Sequence, residues 1–392
     1  MNRFVSVVLS PRFVWIIFCA AAVAISLRNL LMPGGDLFNT GGVYTHYNNF
    51  VIFKNAFFHL LEQKNLYISY PAVQYDVFKY TPTFALLFAP FALLPDVPSL
   101  ILWNLLGAAL IVNSIYSLTG LSQNQKAGFA LLLLQEFITS SINSQTNVII
   151  AALLLLSISA WQKEHTWRAA LFIWLTAFTK LFGVLFFALF LLFSKKLRFV
   201  WQAFVVGLIL FLLPLPFGGF EKLLQHYSDY FELLSHDHGE FVKYSVMGWL
   251  KAWFNVSPPK NTIVLGGLII QFLVLLGLKN LQTQIAQRLF AAALLLWMVI
   301  FNHMAESATF VIAVAGVLLW YYSQPTREKW QLLLLVPVML FTCLGPSDVY
   351  PKFLRTLIVE DWQLKVFPCI AVWAVCVFQL YKTAFQTSFE NK

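Results

Sequence analysis

Long apolar runs recur along this chain every few dozen residues, and few are broken by charge. Phe13–Met32 is the first; Leu100–Leu118, Val148–Trp161, Phe199–Pro216 and Ile263–Leu278 are of the same kind. A helix needs roughly 20 apolar residues to cross a bilayer, and in lipid only helices or closed barrels satisfy their own backbone. Barrel strands alternate apolar and polar residues; these runs do not. The expected fold class is therefore an all-α polytopic membrane protein, one integral membrane domain over 1–392. Composition agrees, with 59% of residues hydrophobic and 11% charged, against about 25% charged in a soluble domain.

Charge places the loops. The net charge of +9 would suggest nucleic acid in a soluble protein. Here the excess sits in short loops, around Lys126, Lys163 and Arg168, Lys195 to Arg198, Lys279 and Arg288, and Arg327 and Lys329. That is a positive-inside pattern, so no nucleic-acid partner is expected and the bilayer is. The longer loops 34–79, 220–262 and 346–365 have balanced charge and are expected outside. Alternation then gives about ten crossings, adding Phe129–Ile142, Leu289–Phe301, Phe310–Tyr322, Gln331–Cys343 and Val366–Tyr381, with both termini inside. Arg3 and Arg12 ahead of the first run read as a retained signal anchor. Tyr80–Leu94, with Pro82 and Pro90, reads as a half-span, and Ala169–Phe193, with Lys180 in its middle, as two short helices. Cys19, Cys343, Cys369 and Cys376 lie in apolar segments and have no disulfide or metal spacing.

The external stretches have texture. Tyr47–Glu62 carries Phe50, Phe53, Phe57, Leu60 and Leu61 at helical spacing, which predicts an amphipathic helix at the membrane interface. Phe220, Leu223, Leu224, Tyr227, Phe231 and Leu234 form a second such pattern.

Chemistry-bearing residues fall at the predicted outer ends. Asp36, in PGGDLFNTGG, is a carboxylate on a glycine-rich loop, suited to general-base work or simply a solvated loop residue. Asp76, in QYDVFKYTP, competes for that role or caps the half-span. Asn143, Gln145 and Asn147, in TSSINSQTN, can bind sugar hydroxyls or phosphate, or bridge two helices. Gln135 and Glu136 lie inside the same helix, where an ionisable group is a functional hypothesis by default. His303 and Glu306, in NHMAESATF, share a helical face; the histidine could hold phosphate or move a proton. Lys180, in TAFTKLFG, could pair with a lipid phosphate or with Glu136, or snorkel. His236 and His238, in SHDHGE, are a weak metal pattern, and no metal site is expected.

With these residues in view, the chain resembles glycosyltransferase family 87, a branch of the GT-C superfamily. FKYTPTFALLFAPFALLP is similar to the family's aromatic-Tyr-x-Pro lead into a short helix. YNNFVIFKNAFFHLLEQKNLY is similar to its loop helix, NSQTN to its Gly-Gln-x-Asn turn and FTKLFGVLFF to its membrane-lysine segment. Together they cover about the first half of the chain; NHMAES matches loosely in the second. The resemblance implies a GT-C-like bundle of about ten or more helices with large extracytoplasmic loops. It implies a polyprenyl-phosphate sugar donor, typically mannose, a glycolipid or glycan acceptor, and neither cofactor nor metal. The enzyme would sit in the inner (plasma) membrane with its site on the extracytoplasmic side. Asp36 would be the base, with Asp76 the alternative, His303 and Lys180 would receive the phosphate, and Asn48, Asn49, Asn143, Gln145, Asn147 and Glu306 would bind substrate. Three departures stand out: Asn48 and Asn49 replace an aspartate frequent before the loop helix, Ser144 replaces the turn's glycine, and Leu181 replaces the proline after the lysine.

Other classes make different demands. A lipid-linked-sugar transporter or flippase would carry inverted repeats and broken helices meeting at mid-membrane; no repeat is visible, and the polar residues gather at one face. An assembly factor would need no clustered carboxylate and histidine. A surface-glycan polymerase or ligase would carry more external arginines than Arg355.

Overall fold

The computed structural model describes residues 7–36, 43–192, 196–236, 242 and 244–385. Among them the one extended pairing is an isolated bridge between Gly35 and Tyr44; the remaining regular structure is helical. Helix α1 (Pro11–Leu31) begins where the Ser10 hydroxyl accepts the Phe13 N–H, with proline in the first turn. Next come α2 (Asn48–Leu61) and two short helices, α3 (Pro82–Leu87) and α4 (Ala89–Ala92). Pro90 removes a backbone donor at their junction, which keeps both helices short. Helix α5 (Asp96–Ser117) follows, then α6 (Gln123–Ile142), opened by a Ser122/Gln125 capping box. Helices α7 (Asn147–Gln162) and α8 (Thr166–Thr179) lead to a 3₁₀ run over Leu181–Leu192.

The second half holds α9 (Lys196–Leu212), α10 (Gly219–His236), α11 (Val246–Phe254), α12 (Lys260–Leu273) and α13 (Gln284–Ile300). Helices α14 (Phe310–Ser323), α15 (Lys329–Pro337), α16 (Lys352–Thr356) and α17 (Phe367–Phe385) complete it.

Five helical stretches among the described residues are long and apolar enough to cross a membrane: Pro11–Leu31, Asp96–Ser117, Lys196–Phe217, Lys260–Leu281 and Phe367–Phe385. Asn147–Gln162, Leu181–Leu192, Gln284–Ile300, Ser307–Ser323 and Lys329–Leu344 are apolar but shorter. All ten segments expected to cross are helical, yet several fall short of the length a lone span needs. Helices α13 and α14 show why such lengths are tolerated. Nearly every residue of both is buried, and Gly316 lets α14 approach the Ala292 carbonyl. Their surroundings are protein, so their length need not match the bilayer.

The break after α8 is sharp. Lys180 is extended, with φ −139° and ψ 124°, the conformation a following proline would impose, although Leu181 follows. A Cβ on Gly183 would lie 2.6 Å from Thr176 Cγ2 and 2.8 Å from the Ala177 nitrogen. The chain thus folds back against α8 at a point where only glycine fits.

Helix α2 differs from expectation. All of its apolar stripe but Leu61 is covered by protein: Phe53 meets Tyr80 at 4.9 Å, Phe84 at 5.1 Å and Phe88 at 5.5 Å, with Trp103 beyond. The same amphipathic pattern serves a lipid surface or a protein one. Helix α10 divides its stripe. Leu223, Tyr227 and Tyr230 are buried while Phe220, Leu224 and Phe231 are exposed. At the other end of the bundle three cations sit on backbone carbonyls around the end of α5. Lys126 Nζ donates to Tyr116 O at 2.8 Å, Lys163 Nζ to Ser117 O at 3.1 Å, and Arg288 Nη1 to Thr119 O at 2.7 Å. A helix C-terminus favours such cations.

Candidate functional site

Four interruptions of helix meet at the opposite end from that cationic cluster: the segment before α3, the α6–α7 turn, the α8 break and the α13–α14 turn. They enclose a polar cleft of about 310 Å³. Asn49, Asp76, Gln145, Lys180, His303 and Glu306 all line it, so six of the sequence-selected residues converge. Among the described residues the lining carboxylates are Asp76 and Glu306.

Three motifs are joined by one run of hydrogen bonds. Lys180 Nζ donates to Asn147 Oδ1 at 2.9 Å, Asn147 Nδ2 donates to Gln145 Oε1, and Gln145 Nε2 donates to Glu306 Oε2 at 2.5 Å. Every donor points the same way, from ammonium to carboxylate. Two amides thus relay between a partly buried cation and an exposed anion, fixing both side-chain amides. Lys180 also stands 6.0 Å above the Tyr80 ring, within the reach of a cation–π contact. The α6–α7 turn is tight: Ser144 has φ 50°, the left-handed region where glycine is at ease. Its carbonyl accepts the Trp103 indole N–H at 3.2 Å.

Asp76 is more open, its side chain 54% exposed. Its Oδ1 accepts the Val77 N–H at 2.7 Å, and Lys79 Nζ lies 3.8 Å from Oδ2.

The remaining selected residues stand behind or beside the cleft. Asn48 is nearly buried, and its amide oxygen accepts the Tyr75 N–H at 3.1 Å. Asn49 Nδ2 donates to the Asn143 carbonyl at 2.9 Å, and Asn143 Nδ2 donates to Thr139 O. Asp36 is exposed and lies outside the lining, next to the Gly35–Tyr44 bridge.

Glu136 does not meet Lys180. It pairs with Lys365 at 3.1 Å, both side chains fully buried, and Lys365 Nζ also donates to Thr342 O. His236 Nδ1 is within hydrogen-bond distance of the Glu232 carbonyl at 2.9 Å, and His238 lies outside the described residues. Lys79, Tyr80, Tyr230, Asn302 and Thr309 also line the cleft, beyond the residues to which the sequence gives a role. Lys79 and Tyr80 stand within FKYTP itself, so the motif had marked them without a role.

An apolar groove of about 370 Å³ continues from the cleft. Trp174, Phe178, Phe204, Leu208, Phe211 and Phe231 wall it, and Leu181 and Tyr230 belong to both spaces. The Lys180 ammonium therefore faces the cleft beside the residue where polar lining gives way to apolar.

A family model described as glycosyltransferase family 87 matches residues 78–345, more than half of the chain. The matched range includes Lys79, Gln145, Lys180, His303 and Glu306 and begins just after Asp76. Comparison with curated proteins finds no match.

Proposed function

The chain belongs to glycosyltransferase family 87, and on that premise we propose that it moves a hexose, mannose in the first instance, from a polyprenyl-phosphate carrier to a glycolipid or glycan acceptor. The observation that carries this reading is the junction of polar cleft and apolar groove at Leu181 and Tyr230, with Lys180 beside it. A lipid-linked sugar has that same division: an apolar chain, one anionic phosphate, and a polar ring. The groove suits the isoprenoid, Lys180 with His303 the phosphate, and the amides of Asn49 and Gln145 the sugar hydroxyls.

In this mechanism the acceptor hydroxyl oxygen attacks the anomeric carbon as its proton passes to a carboxylate. The bond from that carbon to the phosphate oxygen breaks, the configuration inverts, and polyprenyl phosphate leaves with the electron pair. Asp76 is our choice of base, because it lines the cleft with an open carboxylate, whereas Asp36 lies outside it and Glu306 is engaged by Gln145. Lys180 stabilises the charge that develops on the leaving phosphate. The site is assigned to the extracytoplasmic face because the cationic turns gather at the other end, with about ten crossings in the plasma membrane.

Purified protein in detergent, given labelled polyprenyl-phosphate mannose and a panel of glycolipids, is expected to yield labelled product. Movement of labelled lipid across proteoliposomes without transfer would replace this reading with transport.

A further inference from the structure

Helix α2 carries three asparagines, and none of the three is placed by its apolar packing. Asn48 and Asn55 are two turns apart and so lie on one face. Both reach the segment that holds Asp76. Asn48 Oδ1 accepts the Tyr75 N–H at 3.1 Å. Asn55 Nδ2 donates to Gln74 Oε1 at 3.1 Å, and Gln74 Nε2 donates to the Asp76 carbonyl at 2.9 Å. Gln74 is 2% exposed, although its neighbours Val73 and Tyr75 are open. Asn49, one residue round the helix from Asn48, ties α2 to the turn that carries Gln145.

From this geometry we infer that Asn48, Asn55 and Gln74 are positioning residues that hold Asp76 at a fixed place against the sugar-binding turn. The inference rests on the reading of Asp76 as the base. The dipeptide Tyr75–Asp76 is gripped at its leading N–H and at its trailing carbonyl. The peptide that follows Asp76 is fixed from both sides, its carbonyl by Gln74 and its N–H by the Asp76 carboxylate itself. That last bond orients the carboxylate, with Oδ2 lying 3.8 Å from the Lys79 ammonium, which also lines the cleft. The segment has no helix or strand of its own, so these side-chain bonds replace the backbone ladder that would otherwise set its position. Helix α2 is anchored by Phe50 against Phe88 and by Phe53 against Phe84 of α3, Phe88 and Trp103. It thereby measures the distance between the base segment and the turn at Gln145.

Positioning differs from binding in its kinetic signature. A misplaced base slows the chemical step and leaves substrate affinity alone. Gln74→Met and Asn55→Leu keep side-chain volume and remove the bonds. Each is expected to lower kcat about ten- to a hundredfold, with donor and acceptor KM within about twofold of wild type. Added to Asp76→Asn, Gln74→Met is expected to cost nothing further, because the group it positions has gone. Unchanged kcat in both single variants, alongside an inactive Asp76→Asn, would overturn the positioning role alone. A raised KM with intact kcat would make these residues substrate ligands and overturn it as well. Wild-type activity in Asp76→Asn would remove the base assignment and this inference together. Should Gln74→Met fail to fold, Asn55→Leu, which removes one bond at the segment's far side, decides the question.

Discussion

Lys180 is the residue on which the two halves of the site meet. It is partly buried, its ammonium is held by Asn147, and it stands over Tyr80 where the polar cleft passes into the apolar groove. If it receives the donor phosphate, losing it removes a charge-assisted hydrogen bond worth about 1.5–3 kcal/mol. Lys180→Met is therefore expected to lower donor kcat/KM about tenfold to a hundredfold, with the acceptor KM unchanged, as read by steady-state transfer rates. Equal loss for donor and acceptor would contradict the assignment. His226 offers a test of stability. It lies on α10, outside the five candidate spans, is 2% exposed, and neither ring nitrogen has a hydrogen-bond partner. Burial lowers its pKa from 6.5 to about 4, with Lys222 adding to the effect. The unfolded chain thus binds the proton first as pH falls. Stability is complete above about 6.5, declines between 6.5 and about 4, and levels off below. The slope is at most about 1.4 kcal/mol per pH unit. Replacing His226 with Leu is expected to flatten that part of the Tm profile between pH 7 and pH 4.5. An unaltered profile would place the titration elsewhere.

At the scale of elements, the site is made of breaks, and two breaks have unusual backbone requirements. The α6–α7 turn puts Ser144 in the left-handed region, fully buried and with its hydroxyl unpaired. A non-glycine residue there costs about 1–2 kcal/mol. Ser144→Gly is expected to raise Tm without lowering transfer, since the bonds of Gln145 and Asn147 do not involve the serine side chain; a lower Tm would contradict this account of the turn. The α8 break is the reverse case. Gly183→Ala would force a methyl into the Thr176 and Ala177 backbone, so the fold-back must open and Lys180 must move. If Lys180 acts on the donor phosphate as proposed, transfer is expected to fall at least tenfold by the cost of displacing it, with detectable membrane-inserted protein; wild-type activity would show that the break tolerates a side chain.

How much of these elements could be read beforehand follows from where the information lies. Helices were legible because the membrane makes apolarity a local property of the chain, and the two awkward segments carried their own signals, Pro90 and Lys180. The cleft was legible to the extent that NSQTN, FTKLFG and NHMAES each place polar groups at a helix end. Three things were not. An amphipathic stripe does not say whether lipid or protein covers it, so α2 was expected at an interface and is packed against Phe84 and Phe88. Glu136 has its partner far along the chain at Lys365, which no local pattern reveals. Asn48 and Asn49 read alike in sequence, yet one residue of helix turns the second into the cleft and the first toward Tyr75.

At the scale of the whole molecule, the fold separates two jobs. The buried pair α13 and α14 with the surrounding spans forms a stiff bundle, cationic at one end. The other end carries α2, α10 and the four breaks, which hold a polar cleft open beside an apolar groove. A lipid-borne donor reaching this site from the bilayer would never need to leave its membrane, and the transferred sugar would meet an acceptor arriving from water or from the same leaflet. The central claim is that this cleft transfers sugar with Asp76 as the base. Single-turnover transfer from labelled polyprenyl-phosphate mannose, by wild type, Asp36→Asn and Asp76→Asn in matched detergent preparations, tests it most directly. The account predicts product from wild type and Asp36→Asn and a loss of several orders of magnitude in Asp76→Asn, with donor still bound. Wild-type turnover in Asp76→Asn, or its loss in Asp36→Asn alone, would contradict it.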